Sequence, residues 1–294
     1  MSTSKLIVIL GPTASGKTNL SIKLAKRYNG EVISADSRQV YKGLDIGSGK
    51  ITKKEMQGIP HYLLDVANPK RRFSVAQYQK LALKAIKNIQ KKNKLPILVG
   101  GTGFFIQSIV DGMVLPEVKP DFKLRSKLEN KSNEELYNLL LSKDPKRANG
   151  IDKHNPRRLI RALEIILKTK KPITVLKTNN QFDVLELGIT KPFDELKRLI
   201  NKRLIKRLKN KAMINEVKKL HKSLSWKRLE ELGLEYRYVA QYLQNKISYQ
   251  KMIDSIQKES EHFVKRQMTW FKKDRRIKWI KTEKEAKLLI DRFI

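Results

Sequence analysis

The sequence contains no cysteine, which excludes disulfide bonds, thiolate catalysis and every cysteine-ligated zinc site. Histidine is nearly as scarce: His61, His154, His221 and His262 are scattered without metal-ligand spacing. No apolar run reaches the roughly 18 residues that a membrane-spanning helix needs, so no membrane partner is expected. Residues 1–5 lead into an aliphatic stretch and carry no signal-peptide pattern, which makes the cytoplasm the expected location. Acidic residues are few as well. Asp and Glu total 29 against 64 Lys and Arg in 294 residues, a formal net charge of +35. Such an excess favours a polyanionic partner, because each neutralised phosphate releases condensed counterions. Compositional drift toward lysine and an acidic membrane surface are the competing readings. With 40% hydrophobic residues, the chain has enough apolar material for a sizeable core.

What is present is organised as alternating strands and helices, the pattern of a parallel α/β sheet. Leu6 to Leu10 is a continuous aliphatic run, as expected of a strand buried on both faces. A helical repeat follows over Thr18 to Tyr28, then a short strand over Glu31 to Ala35. Ser74 is placed to cap a helix carrying Val75, Tyr78, Leu81, Ala85, Ile86 and Ile89 on one face. A third strand, Leu95 to Val99, ends in Gly100, Gly101, Thr102 and Gly103. From Pro116 the chain changes to polar, charged helices broken by Pro120, Pro145, Pro156 and Pro172, and Val184 to Ile189 reads as a strand returning to the sheet. The division expected is a core over 1–115, a helical insertion over 116–183, and a continuation of the core over 184–294 with basic helices. That continuation reads as mostly helix to Asp274, with a last strand near Ile277 to Ile280.

Gly11, Pro12, Thr13, Ala14, Ser15, Gly16, Lys17 and Thr18 match the phosphate-loop pattern G-x-x-x-x-G-K-[ST], between a strand and a helix as the pattern requires. Backbone N–H groups of such a loop converge on phosphate oxygens, and the helix N-terminus adds its dipole. Lys17 supplies charge to the terminal phosphate, and the Thr18 hydroxyl suits Mg²⁺. The pattern identifies a phosphate chain, a nucleotide's included, but not a reaction. An Asp closing a neighbouring strand is the usual next feature, yet Leu95–Val99 ends in glycines and threonine. The well-placed carboxylate is Asp36, after the second strand. Carboxyl ends of neighbouring strands open into one crevice, so Asp36 and Thr102 are expected to face the phosphate site together. General base, metal-sphere ligand and turn residue are all open to Asp36.

These residues, together with the strings at 33–41, 43–47, 60–65, 99–103, 155–164 and 265–270, closely resemble the tRNA dimethylallyltransferases, also called tRNA isopentenyltransferases. The strings span most of the chain in a fixed order. The resemblance is to the bacterial type, since a chain without cysteine has no zinc finger of the kind seen in eukaryotic relatives. It implies that the loop holds the diphosphate of dimethylallyl diphosphate and that the acceptor is N6 of adenine 37 in tRNA. It further implies Asp36 as general base, with Lys17 and Thr102 in the catalytic site and Ser37, Arg38 and Gln39 holding the flipped base. Arg157, Arg158 and Arg161 match a segment that touches tRNA, and Arg125 is a looser match. A monomer gripping one tRNA is the expected assembly.

Two basic clusters have a bland reading beside this one. Lys197, Arg198, Lys202, Arg203, Lys206 and Arg207 share a helical face opposite Phe193, Leu196, Leu199, Ile200 and Leu204, which suits either phosphate contact or simple solvation. Lys265, Arg266, Lys272, Lys273, Arg275 and Arg276 are interleaved with Trp270, Phe271 and Trp279, with core packing expected of Trp270 and Phe271. A small-molecule or nucleoside kinase on the same scaffold explains the loop and Asp36 but not the charge. A nucleic-acid-stimulated NTPase explains the charge but not the missing Asp after Val99.

Overall fold

The computed structural model describes residues 4–116, 118–173, 178–179 and 181–294. Residues 1–3, read above as leading into the first strand without a signal peptide, lie outside them. The chain divides into two compact units, one formed by Met1–Gly112 with Asn180–Ile294, the other by Met113–Asn179.

The first unit is built on six parallel strands: β1 (Ser4–Leu10), β2 (Gly30–Ala35), β3 (His61–Tyr62), β4 (Leu95–Gly100), β5 (Phe182–Ile189) and β6 (Lys278–Ile280). They lie in the order β3-β2-β4-β1-β5-β6, so β1 is central, paired with β4 through Ile7–Ile97 and with β5 through Ile7–Leu185. The aliphatic strands divide their side chains by period two between separate cores. Leu6, Val8, Leu10, Ile33 and Leu98 enter the larger core, while Ile7, Ile9, Val32, Ile97 and Leu187 enter the smaller one.

Helix α1 (Lys17–Arg27) contributes Leu24 and Ala25 to the smaller core, joined by Ala286 and Ile290 of the C-terminal helix Glu283–Phe293. The larger core receives α3 (Val75–Gln90) and α4 (Gly103–Val110), which follow the one-turn α2 (Lys53–Met56). The expected Ser74 cap is a full capping box with Gln77. Tyr78 of α3 is fully buried, stacks on Phe105 with ring centres 4.0 Å apart, and donates its hydroxyl hydrogen to the Ser34 carbonyl at 3.1 Å. That bond fixes the end of β2, where Asp36 follows.

The second unit has its own core. Helices α5 (Phe122–Glu129), α6 (Asn133–Lys143), α7 (Pro145–Asn149) and α8 (Pro156–Thr169) enclose Leu128, Leu136, Leu140, Leu159 and Leu163. Pro145 and Pro156 mark the expected breaks between helices, standing first in α7 and α8, each behind an Asp or Asn cap.

Beyond β5 the long helical tract resolves into α9 (Phe193–Leu208), α10 (Ala212–His221), α11 (Trp226–Glu231), α12 (Leu234–Leu243) and α13 (Tyr249–Phe271), followed by β6 and α14 (Glu283–Phe293). The break after α9 lies at Asn210 and Lys211, with φ of 53° and 55°. A left-handed pair stops a right-handed helix, and asparagine tolerates that conformation better than most residues.

Candidate active site

The site lies where β1, β2 and β4 deliver their loops at the carboxyl end of the parallel strands. Gly11 leaves β1 with φ +148°, and a Cβ there would stand 2.1 Å from the Ile189 carbonyl oxygen, so only glycine lets the loop pass the end of β5. Ala14 is left-handed (φ 63°) and packs, as does Met268 of α13, against a cluster of Leu196 and Ile200 of α9 and Val264 of α13. The loop closes through Gly16, also left-handed, into α1 without a side-chain cap, which leaves the first backbone N–H groups of α1 for another acceptor. The Ser15 hydroxyl is buried and has no hydrogen-bond partner in the protein. An orphaned buried hydroxyl beside open N–H groups suits an anion.

Lys17 is half-buried, with Nζ donating to the Pro12 carbonyl at 2.5 Å. Burial lowers its ammonium from the usual lysine range to about 7; the Asp36 charge opposes this and that of Arg203 reinforces it. These two influences place Lys17, Asp36 and Arg203 in one electrostatic neighbourhood. Thr18 is exposed at the start of α1.

Asp36 ends β2 as an Asx turn: Oδ1 accepts from the N–H groups of Arg38 at 2.8 Å and Gln39 at 3.2 Å. The turn is pinned to β4 by Thr102, whose Oγ1 accepts from the Ser37 N–H at 3.0 Å and whose own N–H donates to the Ala35 carbonyl at 3.2 Å. Gln39 Nε2 donates to the Gly49 carbonyl at 3.3 Å, and Arg38 Nη1 reaches the Glu231 carbonyl at 3.4 Å. Asp36, Ser37, Arg38, Gln39 and Thr102 thus form one hydrogen-bonded turn next to the glycine-rich loop.

Further contributors complete the site, two of them from the basic helical face noted in the sequence. Within α9, buried Leu204 and Leu208 leave Arg203 and Arg207 beside the site. A Cβ on Gly49 would meet Arg207 Nη2 at 2.0 Å and Arg203 Nη2 at 2.9 Å. Burial, with Arg207 alongside, lowers Arg203 to about 10, so it stays charged at neutral pH. Glu216 of α10 gathers the loop over these arginines. Its carboxylate accepts from the N–H groups of Asp45 at 3.1 Å, Ile46 at 2.6 Å and Gly47 at 3.0 Å, and from the Tyr236 hydroxyl at 2.9 Å. Gln267 of α13 joins Thr13 to Gly101. The signal available for the α9 pair was that each arginine immediately precedes a core leucine; Glu216 and Gln267 gave no local signal.

Trp270 departs from its expected core role. It is 39% exposed and meets Phe104 edge-on at 6.4 Å, whereas Phe271 is buried. In the second unit, Arg125 and Arg161 both hold the buried Glu164. Arg125 is bidentate at 2.8 and 2.6 Å, Arg161 pairs with the same carboxylate, and Arg161 Nη2 also donates to the Val118 carbonyl at 3.1 Å. These hydrogen bonds and charges hold the Glu164 carboxyl down to about 2 despite its burial, the largest single influence, which raises it. Arg157 and Arg158 stand exposed on the first turn of α8.

The comparisons with known proteins agree on one relationship. Residues 39–274 match the family model described as IPP transferase. A tRNA dimethylallyltransferase of Acetivibrio thermocellus is 42% identical over 285 residues, 94% of this chain and 91% of that protein. The full-length tRNA isopentenylpyrophosphate transferase of Bacillus halodurans matches with a TM-score of 0.71 at 36% identity, covering 97% of this chain and 94% of that one. A eukaryotic dimethylallyltransferase, seen crystallographically acting on tRNA, matches with a TM-score of 0.80 at 29% identity, covering 91% of this chain and 70% of that one. On its sheet, its sequence and its full-length relatives, this chain belongs to the tRNA dimethylallyltransferase (IPP transferase) family.

Proposed function

We propose that the protein transfers a dimethylallyl group from dimethylallyl diphosphate to N6 of adenine 37 in tRNA. The observation that carries this reading is the glycine-rich loop held beside the Asp36 turn, with Gln267 joining Thr13 to Gly101 and Thr102 accepting from the Ser37 N–H. An anion-binding loop beside a carboxylate suits a reaction that expels diphosphate and removes a proton.

The diphosphate lies against the loop Gly11–Lys17, with Lys17 and Arg203 neutralising the charge that grows as the allylic C–O bond breaks. The N6 lone pair forms the new C–N bond, the C–O electron pair leaves with diphosphate, and Asp36 takes the N6 proton. Adenine N6 is a weak nucleophile because its lone pair is delocalised, so alignment contributes much of the acceleration. A stacked base cannot enter the crevice, so the adenosine is extruded and received by Ser37, Arg38, Gln39 and Thr102. Mg²⁺ fits this donor set: Mg²⁺ at a phosphate site takes most of its ligands from phosphate oxygens and water, and Thr18 offers a hydroxyl at the mouth of α1. When bound, the ion adds positive charge at the leaving diphosphate. The tRNA partner accords with the +35 charge and with Arg157 and Arg158.

The test is nucleoside mass analysis of unmodified tRNA incubated with the protein, dimethylallyl diphosphate and Mg²⁺. N6-prenylated adenosine at position 37 is expected; its absence with active protein sinks the reading and redirects work to ATPase and kinase assays. Asp36→Ala should cost on the order of 10²- to 10⁴-fold in turnover, the range for a general base, while tRNA affinity stays within about threefold. Equal losses in binding and turnover would make Asp36 a positioning group.

A further inference from the structure

Gln267 is a buried side chain (6% exposed) on α13, away in sequence from both loops of the site. Its amide is used at both ends. Oε1 accepts from the Thr13 N–H at 2.9 Å, and Nε2 donates to the Gly101 carbonyl at 2.9 Å. The polarity is fixed by its partners, since a backbone N–H only donates and a carbonyl only accepts. Thr13 belongs to the glycine-rich loop. Gly101 precedes Thr102, which holds the turn of Asp36 through Ser37.

Gly101 and Gln267 are matched in shape. A Cβ on Gly101 would stand 2.3 Å from Gln267 Nε2, so the absent side chain is what admits the amide. The same helix supports both loops on either side of Gln267. Val264 belongs to the small cluster against which Ala14 packs, and Trp270 lies over Gly103, where a Cβ would be 2.3 Å from its Cδ1.

We propose that Gln267 is a positioning residue that sets the distance between the diphosphate-holding loop and the Asp36 turn. This rests on the reading of the site given above. Its physical content is that the donor's allylic carbon and the N6 nucleophile are held by two separate loops, and their alignment is only as good as the link between them. Gln267 makes that link without touching a reacting atom. Only an amide supplies an acceptor and a donor at this spacing: glutamate keeps the first and loses the second, and methionine keeps the volume and loses both.

The experiment compares wild type, Gln267→Met, Gln267→Glu, Gly101→Ala and the double variant Gly101→Ala/Gln267→Met in steady-state transfer to unmodified tRNA, with thermal melting alongside. The expected result is a kcat loss on the order of 10²-fold in each single variant, as for an ångström-scale misplacement, with KM for donor and tRNA within about threefold. The double variant should lose no more than the worse single one, because both remove one link. A kcat within twofold of wild type in folded Gln267→Met overturns the proposal. So does a loss confined to the donor KM, which would make Gln267 part of donor binding. If Gln267→Met fails to fold, Gly101→Ala decides, since it displaces the amide while keeping it; wild-type kcat there overturns the proposal equally. Wild type active with indifferent variants removes only this inference, whereas wild type without product overturns the functional reading and this inference together.

Discussion

Lys17 shows how much a single residue's surroundings add to its motif. The spacing in the glycine-rich loop identifies Lys17, but only packing reveals that burial brings its ammonium to about 7. Near neutral pH, then, much of the lysine is uncharged in the free site. A bound diphosphate favours the charged form, so binding raises the pKa and takes up a proton. The sign follows: affinity for inorganic diphosphate falls as pH rises above 7, because the proton must then be drawn from solution. Diphosphate has its own ionisations, so the comparison is with Lys17→Met. Titration calorimetry between pH 7 and 9 should give a log-affinity slope more negative in wild type by up to about one unit. Equal slopes would show that Lys17 is charged throughout. The anchors Asp36 and Thr102 were also legible in sequence, because both sit where a buried strand stops. Gln267 and Glu216 were not, because their partners lie far along the chain and no local pattern announces a long-range hydrogen bond.

At the scale of elements, legibility followed periodicity and length. β1, β2 and β4 show as runs rich in aliphatic residues, β5 and β6 as shorter apolar stretches interrupted by polar residues, and α3 as a capped apolar stripe. β3 is two residues long and has no period to detect. The tract after Pro192 read as mostly helix, but the division into α9 to α13 depends on left-handed residues such as Asn210 that mid-sequence charges conceal. The insertion offers the sharper case. The resemblance implied tRNA contact for Arg161 and, more loosely, for Arg125; in the fold both converge on Glu164, whose side chain is completely buried. Glu164→Gln should therefore act on stability. Breaking a buried ion pair by removing one partner costs about 3–5 kcal/mol. Hydrogen exchange should show lost protection in α5 and α8 with β1, β2 and β4 unchanged, since the two units have separate cores. The pH dependence has a defined direction. With the folded carboxyl held near 2 against an ordinary 4.5, its contribution is complete above about pH 4.5 and disappears as pH falls toward 2. Unchanged protection in the variant would mean that the arginines find other partners.

For the whole molecule the dominant quantity is charge, and the question is whether +35 is used or merely carried. Counterion release makes the two cases measurable. If Z phosphates are neutralised, log affinity falls linearly with log salt, with a slope of about −0.7 to −0.9 per contact. Binding of unmodified tRNA, measured from low to physiological salt, should give a steep slope. The identity of the contributing cations then follows from variants. Arg157 and Arg158 are exposed on the first turn of α8, so replacing both with alanine should reduce the slope by about two with no change in melting temperature. Lys91 is as exposed but sits at the amino end of β4, opposite the crevice, and Lys91→Ala should leave the slope intact. Arg125→Ala should behave differently from both, since its first effect is to uncover Glu164: any fall in affinity should accompany lost protection in α5 and α8. A uniform small effect from every cation, Lys91 included, would instead mean that the charge acts as a diffuse field. Steering would then explain the basic surface without any specific grip by α8.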